Sequence, residues 1–248
     1  MADSISRTCA LTQSKCDGPD GNGGSILTTR KYAEIIVVRH GETEWNVERR
    51  IQGQADVDLN DVGRQQAVVV ADRLSREPKI SAIYSSDLKR AFDTSETIAK
   101  GCGVLEVTKD PDLQERHLGD LQGVLFDETE KVNPEAHRAF KSDRDDQEIP
   151  GGGESRIQLY QRCTSALQRI AKKHIGERVV VVSHGATIEA LDRRAYPYGQ
   201  YRGVPNASVS VFHVSAEDEW SIKSWADVSH VNQTGFLPSG FGGDGNSG

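Results

Sequence analysis

The sequence predicts a single α/β domain with a mostly parallel, doubly wound sheet. Short β-branched runs alternate with stretches whose apolar residues recur at helical spacing, the pattern of a sheet whose crossovers are helices. The runs at 35–38 and 179–182 are apolar without alternation, as strands covered on both faces must be. A chain of 248 residues is long enough for one such domain and its core.

The elements follow in order. Residues 34–39 read as the first strand. Residues 60–77 read as a helix, with Val62, Ala67, Val70, Ala71 and Leu74 at helical spacing, Asn60 or Asp61 as N-cap and Pro78 past its end. A short strand over 82–85 leads into a helix over 88–100. A long helix over 155–174 places Ile157, Tyr160, Leu167, Ile170 and Ala171 on one face, and Gly176 follows it. Residues 178–183 repeat the buried strand, a helix starts near Ala186, and 209–214 and 220–225 read as late strands. Around this domain, 30–237, the flanks 1–29 and 238–248 are rich in breakers and read as disordered tails.

Composition narrows the classes. With 36% hydrophobic and 27% charged residues the chain is neither collagenous nor wholly disordered. No apolar run approaches the roughly 18 residues of a membrane helix, so no membrane partner is expected. A net charge of −7 argues against nucleic acid, whose binding rests on neutralising phosphates. The four cysteines show no C-x-x-C and no finger spacing, and the seven histidines no metal-binding pattern, so free thiols and no metal site are expected. The N-terminal tail lacks the apolar core of a secretory signal. A cytoplasmic location is the expectation, with organellar targeting by that tail left open.

Two histidines occupy matching positions. Each buried run ends in His-Gly, at His40-Gly41 and His184-Gly185. Ligands of open α/β sheets bind beyond the carboxyl ends of strands, so both imidazoles should emerge at the binding edge. Each glycine would let backbone approach the ligand. The blander alternative is that a histidine merely caps its strand on a carbonyl. Arg39 and Arg90 lie at the same edge, where guanidinium groups would bind phosphate oxygens, unless they serve as surface ion pairs. Both histidines charged or half charged would suit a dianion, and helix N-termini after His40, Ser86 and His184 would add N–H donors.

Five blocks then carry a resemblance, in order: 39–46 (Arg-His-Gly-Glu-Thr-Glu-Trp-Asn), 85–91, 113–119, 150–155 and 183–185. Together they resemble the histidine phosphatase (phosphoglycerate mutase-like) superfamily, and most of all its plant phosphoglycerate mutase-like members. The resemblance implies a three-layer sandwich and a ping-pong mechanism. It assigns His40 as the nucleophile that becomes phosphohistidine, with Arg39, Arg90 and His184 clamping the phosphoryl oxygens and Asn46 adding a hydrogen bond. Glu115 would be proton donor and then acceptor, with a pKa raised by neighbouring charge or burial. No metal or cofactor is implied.

The sequence mixes marks of two activities. The 50–60 and 85–88 blocks look like the phosphatase branch, whereas Glu115-Arg116-His117-Leu118-Gly119 looks more like the mutases. The basic insertion of the mutases is missing, and 127–148 is largely acidic, a solvated loop or a rim that repels a second phosphate. A phosphatase for a small phosphorylated metabolite (phosphoserine, phosphoglycerate or sugar phosphate) is therefore favoured. A mutase primed by 2,3-bisphosphoglycerate is the alternative, and a non-catalytic protein on the same fold is less favoured because His40, Arg90 and Glu115 are all present. Arg116 and His117 would contact substrate or pair with Asp120. Gln52 and Gly53 would line the pocket or turn the chain, and Gly185 would lie against the ligand. Strands at the sheet ends would allow a homodimer.

Overall fold

The computed structural model describes residues 31–199 and 202–232, and the two expected tails lie outside them. Strands β1 (Tyr32–Arg39), β2 (Ala82–Ser85), β3 (Val107–Lys109), β4 (Arg178–Ser183), β5 (Val209–Ser215) and β6 (Trp220–Asp227) form one sheet in the order β3-β2-β4-β1-β5-β6. The first four in that order run parallel; β5 is antiparallel to β1, and β6 to β5. The main helices are α2 (Asp61–Ser75), α3 (Lys89–Cys102), α6 (Arg156–Lys173) and α7 (Gly185–Ala195). Shorter ones are α1 (Glu44–Val47), α4 (Thr129–Val132), α5 (Pro134–Phe140) and α8 (Ser229–Asn232).

The unalternating runs behave as their composition requires. In β1, Ile35 and Val37 pack with Leu167 and Ile170 of α6 and Leu191 of α7. Ile36 and Val38 pack on the other face with Val70 and Leu74 of α2 and Ile98 of α3. Val179 and Val181 of β4 join the first cluster, Val180 and Val182 the second. Strand period two thus sends alternate side chains into separate cores, and the result is a three-layer sandwich. Each such side chain contributes about 1.5–3 kcal/mol by leaving water.

Strand order sets the site. β1 connects through α2 to β2, β4 through α7 to β5, and the two helices lie on opposite faces. Such a reversal between adjacent parallel strands opens a crevice at their carboxyl ends. The register places Arg39 opposite Ser183, so His40 and His184 leave the sheet at one level.

Two expectations need correction. Ile157 is exposed and Tyr160 half-buried; α6 buries Leu159, Cys163, Ala166, Leu167, Ile170 and Ala171 instead. The buried stripe is set by contact with the sheet: Cys163, Ala166, Leu167, Ile170 and Ala171 pack with Ile35 and Val37 of β1 and Val179 and Val181 of β4. The segment 127–148 is not a solvated loop: it carries α4 and α5, whose Ala136 and Phe140 pack with Ile51, Leu118, Leu121 and Ile149. Its acids are partly neutralised, Asp145 by Arg193 and Asp146 by Arg144. The three residues of β3 were too few to show a period.

Candidate active site

Arg39, His40, Arg90, Glu115 and His184 converge from separate elements, and none is more than 4% exposed. The two imidazole centroids are 5.2 Å apart. His40 Nδ1 lies 2.6 Å from the Gly41 carbonyl oxygen. A carbonyl only accepts, so Nδ1 carries the proton and Nε2 holds the lone pair. The carbonyl bond proposed as the bland alternative is therefore present, and it is what frees the other nitrogen. His184 Nε2 shares a 2.8 Å hydrogen bond with Ser86 Oγ, while its Nδ1 is buried without a partner among the described residues.

The arginines are built in. Arg39 Nη1 donates to Val204 O at 2.6 Å. Arg90 Nη1 and Nη2 donate to Ala55 O (2.8 Å) and Gly53 O (2.7 Å), and its Nε is buried with no partner among the described residues. Orphaned buried donors such as Arg90 Nε are costly unless a ligand completes them.

The electrostatics correct one expectation. Burial, and then the charges of Arg90 and Arg39, hold the His40 pKa well below 6.5. Burial and Arg90 do the same to His184. Both rings are neutral at pH 7, not charged. Burial pulls Arg90 down to about 10, so it stays cationic at neutral pH. The Glu115 carboxyl is raised by burial; its neighbours Arg90 and Arg39, and N–H bonds from Arg116 (2.8 Å) and Ala186 (3.2 Å), act the other way. With both rings neutral and the Glu115 pKa raised by burial, the two guanidinium charges match a phosphate dianion.

Other predicted residues are placed as follows. Asn46 is buried at the third position of α1, where Oδ1 accepts from Thr43 N (3.1 Å), Thr43 Oγ1 (3.0 Å) and Asn206 Nδ2 (3.3 Å), making Nδ2 the donor end. Gln52 is buried, with its Oε1 3.0 Å from Thr43 Oγ1 and sharing that hydroxyl with Asn46 Oδ1. Gly53 turns the chain at φ +52° and holds Arg90 through its carbonyl. Arg116 is buried, bonds Glu154 O through Nε (3.0 Å), and is lowered to about 10 by burial and then by Arg156. Asp120 takes Asn133, not Arg116 or His117. Gly185 opens α7.

Gly41 and two of the helix N-termini have partners within the protein. Gly41 exists for packing: a Cβ there would lie 2.4 Å from Gly63 O. Its N–H donates to Thr94 Oγ1 (3.1 Å), not to a ligand. The helix after His40 is one turn, and the Ala186 N–H of α7 serves Glu115.

The loop 204–208 went unread in the sequence. Asn206 Nδ2 donates to His40 O (3.1 Å) and lies 3.4 Å from Gly41 O. The Ala207 N–H reaches Arg39 O and His40 O, with Ala207 at φ +57°. A left-handed alanine costs about 1–2 kcal/mol, and here the backbone grip on the histidine turn requires it. An Asn-Ala-Ser triplet carries no local signal of that role.

The family model of the histidine phosphatase superfamily (branch 1) matches residues 35–228. The chain belongs to that superfamily. Within it, the chain is 61% identical over 218 residues to phosphoglycerate mutase-like protein 4 of Arabidopsis thaliana, spanning 88% of this chain and 95% of that one. It is 53% identical over 219 residues to the metal-independent phosphoserine phosphatase of the same plant, spanning 88% and 92%. Among solved structures, a mutant of phosphoserine phosphatase from Entamoeba histolytica in complex with phosphoserine superposes with TM-score 0.67 at 28% identity, over 80% of this chain and 99% of that one.

Proposed function

We propose that the protein hydrolyses small phosphomonoesters of the phosphoserine class through a phosphohistidine on His40. The observation that carries this reading is the juxtaposition of a neutral imidazole, its Nδ1 proton held on Gly41 O, with two buried guanidiniums and a buried carboxyl whose pKa burial raises.

The reaction proceeds in two displacements. His40 Nε2 attacks phosphorus, the P–O ester bond breaks, and Glu115 gives its proton to the leaving alkoxide. The phosphorylated ring stays bound to Gly41 O through its Nδ1 proton. Water then attacks phosphorus, Glu115 takes the water's proton, the P–N bond breaks and phosphate leaves. Phosphoryl transfer depends chiefly on positioning and charge stabilisation, and Arg39, Arg90 and His184, with Asn46, supply both. Guanidinium charge stands where a divalent cation stands in metal-dependent phosphatases; the metal independence in the name of the 53% identical relative supports this scheme.

That relative and the phosphoserine complex support an amino-acid phosphate as substrate. This reading assigns Arg116, next to Glu115 in sequence, to a leaving group's carboxylate. Mutase activity, primed by 2,3-bisphosphoglycerate on His40, is the second reading, favoured by the name of the 61% identical relative and by the Glu115-to-Gly119 block. A cytoplasmic location fits the free thiols of Cys102 and Cys163. Among the described residues no helix is long and apolar enough to cross a membrane. The homodimer of this reading would pair through an edge strand, β3 or β6.

The test uses purified protein in EDTA with O-phosphoserine, 3-phosphoglycerate and a sugar phosphate, and His40→Ala as control. Phosphate release that survives EDTA and vanishes in the variant is expected. Interconversion of 2- and 3-phosphoglycerate without phosphate release would replace the phosphatase reading with the mutase one.

A further inference from the structure

The 150–155 block has no part in the two displacements above, yet its Glu154 forms the most heavily bonded ion pair near the site. Its partner is Arg162, one turn and a half into α6. The side chains are 21% and 17% exposed, respectively. Replacing such a pair by apolar residues is often neutral or stabilising, so its presence calls for a reason other than stability.

That reason lies in what the pair holds. Arg162 uses every N–H donor it has. Nε donates to Glu154 Oε1 (2.7 Å), Nη1 to Asp112 O (3.0 Å) and Gln114 O (2.7 Å), and Nη2 to Glu115 O (2.8 Å) and Glu154 Oε2 (2.8 Å). Glu154 then binds the other side of the same segment. Its Oε2 accepts from His117 N (2.8 Å), its N–H donates to His117 O (2.8 Å), and its carbonyl accepts from Arg116 Nε (3.0 Å).

Residues 114–118 lie in neither helix nor strand, so their backbone groups need partners elsewhere. On both sides of Glu115 those partners are Arg162 and Glu154, helped by Gln54 Nε2 on Glu115 O (3.0 Å) and Thr187 Oγ1 on Gln114 O (2.8 Å). We infer that Arg162 and Glu154 are positioning residues that aim the Glu115 carboxyl at the leaving-group oxygen. This inference rests on the proposed role of Glu115 as proton donor. Arginine is required at 162 because only a planar five-donor fork spans three carbonyls and a carboxylate at once; a lysine offers three donors from one point.

The experiment measures phosphohistidine formation by rapid quench from O-phosphoserine, whose alkoxide must be protonated to leave, and from p-nitrophenyl phosphate, whose phenolate leaves unaided. Displacing a catalytic group by an ångström costs on the order of 10²-fold. Arg162→Met should slow the reaction of O-phosphoserine about 10–100-fold and that of p-nitrophenyl phosphate less than about 3-fold, with KM nearly unchanged for both. Arg162→Lys should recover part of the loss. If Arg162→Met is unfolded at the assay temperature, Glu154→Gln decides on the same two esters. Equal slowing of both esters, or of neither, in the folded variant would overturn the inference, since a structural role alone does not discriminate by leaving group. If Glu115→Gln itself treats the two esters alike, the acid role fails first and the inference falls with it.

Discussion

Glu115→Gln isolates proton donation. The carboxyl is buried, raised in pKa by that burial, and fixed by the N–H groups of Arg116 and Ala186. Glutamine keeps the volume and one acceptor, so Arg116 N–H stays satisfied, while its amide nitrogen meets the Ala186 N–H and forfeits a weak 3.2 Å bond. The structural loss is therefore about 1 kcal/mol. The chemical loss is larger. General acid catalysis contributes about 10²–10⁴-fold, or ~2.7–5.4 kcal/mol at ~1.36 kcal/mol per decade. Phosphohistidine formation from O-phosphoserine should fall by that factor. From p-nitrophenyl phosphate it should fall less than about 10-fold, because the leaving phenolate needs no proton and only the ~1 kcal/mol structural loss remains. A burst of one nitrophenolate per enzyme followed by slow turnover is expected, since the variant also lacks the base for the second displacement. Equal losses on the two esters would refute the argument.

Four other outcomes are expected. A carboxyl with a raised folded pKa binds its proton more tightly folded than unfolded, so its contribution to stability falls as pH rises through that range. Thermal melts of wild type against Glu115→Gln should accordingly shift in favour of the variant on going from acid to alkaline pH; an unchanged difference would contradict the buried carboxyl. NMR titration of the free protein should find His40 and His184 neutral at pH 6.5, because burial and the arginines depress both; a midpoint at or above 6.5 for either ring would contradict the electrostatics. Arg90→Lys cannot hold Gly53 O and Ala55 O while pointing a donor inward, and should lose about 10²–10³-fold in kcat; near-wild-type turnover would show that charge alone suffices. Gly63→Ala would set a Cβ 2.0 Å from Glu42 O, backbone against backbone. Overpacking of about 1–3 kcal/mol should lower Tm by roughly 2–12 °C for a domain of this size, and an unshifted melt would mean that the turn relaxes freely.

Much of this protein is legible in its sequence because the signals are local. The runs at 35–38 and 179–182 announce strands covered on both faces, and their side chains do divide between two cores. The His-Gly endings announce a binding edge, and the β1–β4 register sets them side by side. Asn60 caps the helix it precedes. The five ordered blocks identify the superfamily.

What the sequence could not decide depends on neighbours far along the chain. Protonation is one case: arginines look like a reason to expect charged histidines nearby only until burial and repulsion are added, after which both rings are neutral. Glycine is another, since the backbone of Gly63 leaves no room for a Cβ at Gly41. The grip of Asn206 and Ala207 on the nucleophile spans about 165 positions, and that of Arg162 on Glu115 spans 47. Local pattern fixes which residues form strands and helices, because propensity and periodicity act within a few residues. Tertiary structure fixes which groups are desolvated and what they touch, and from those two properties come the lone pair on His40 and the raised pKa of Glu115.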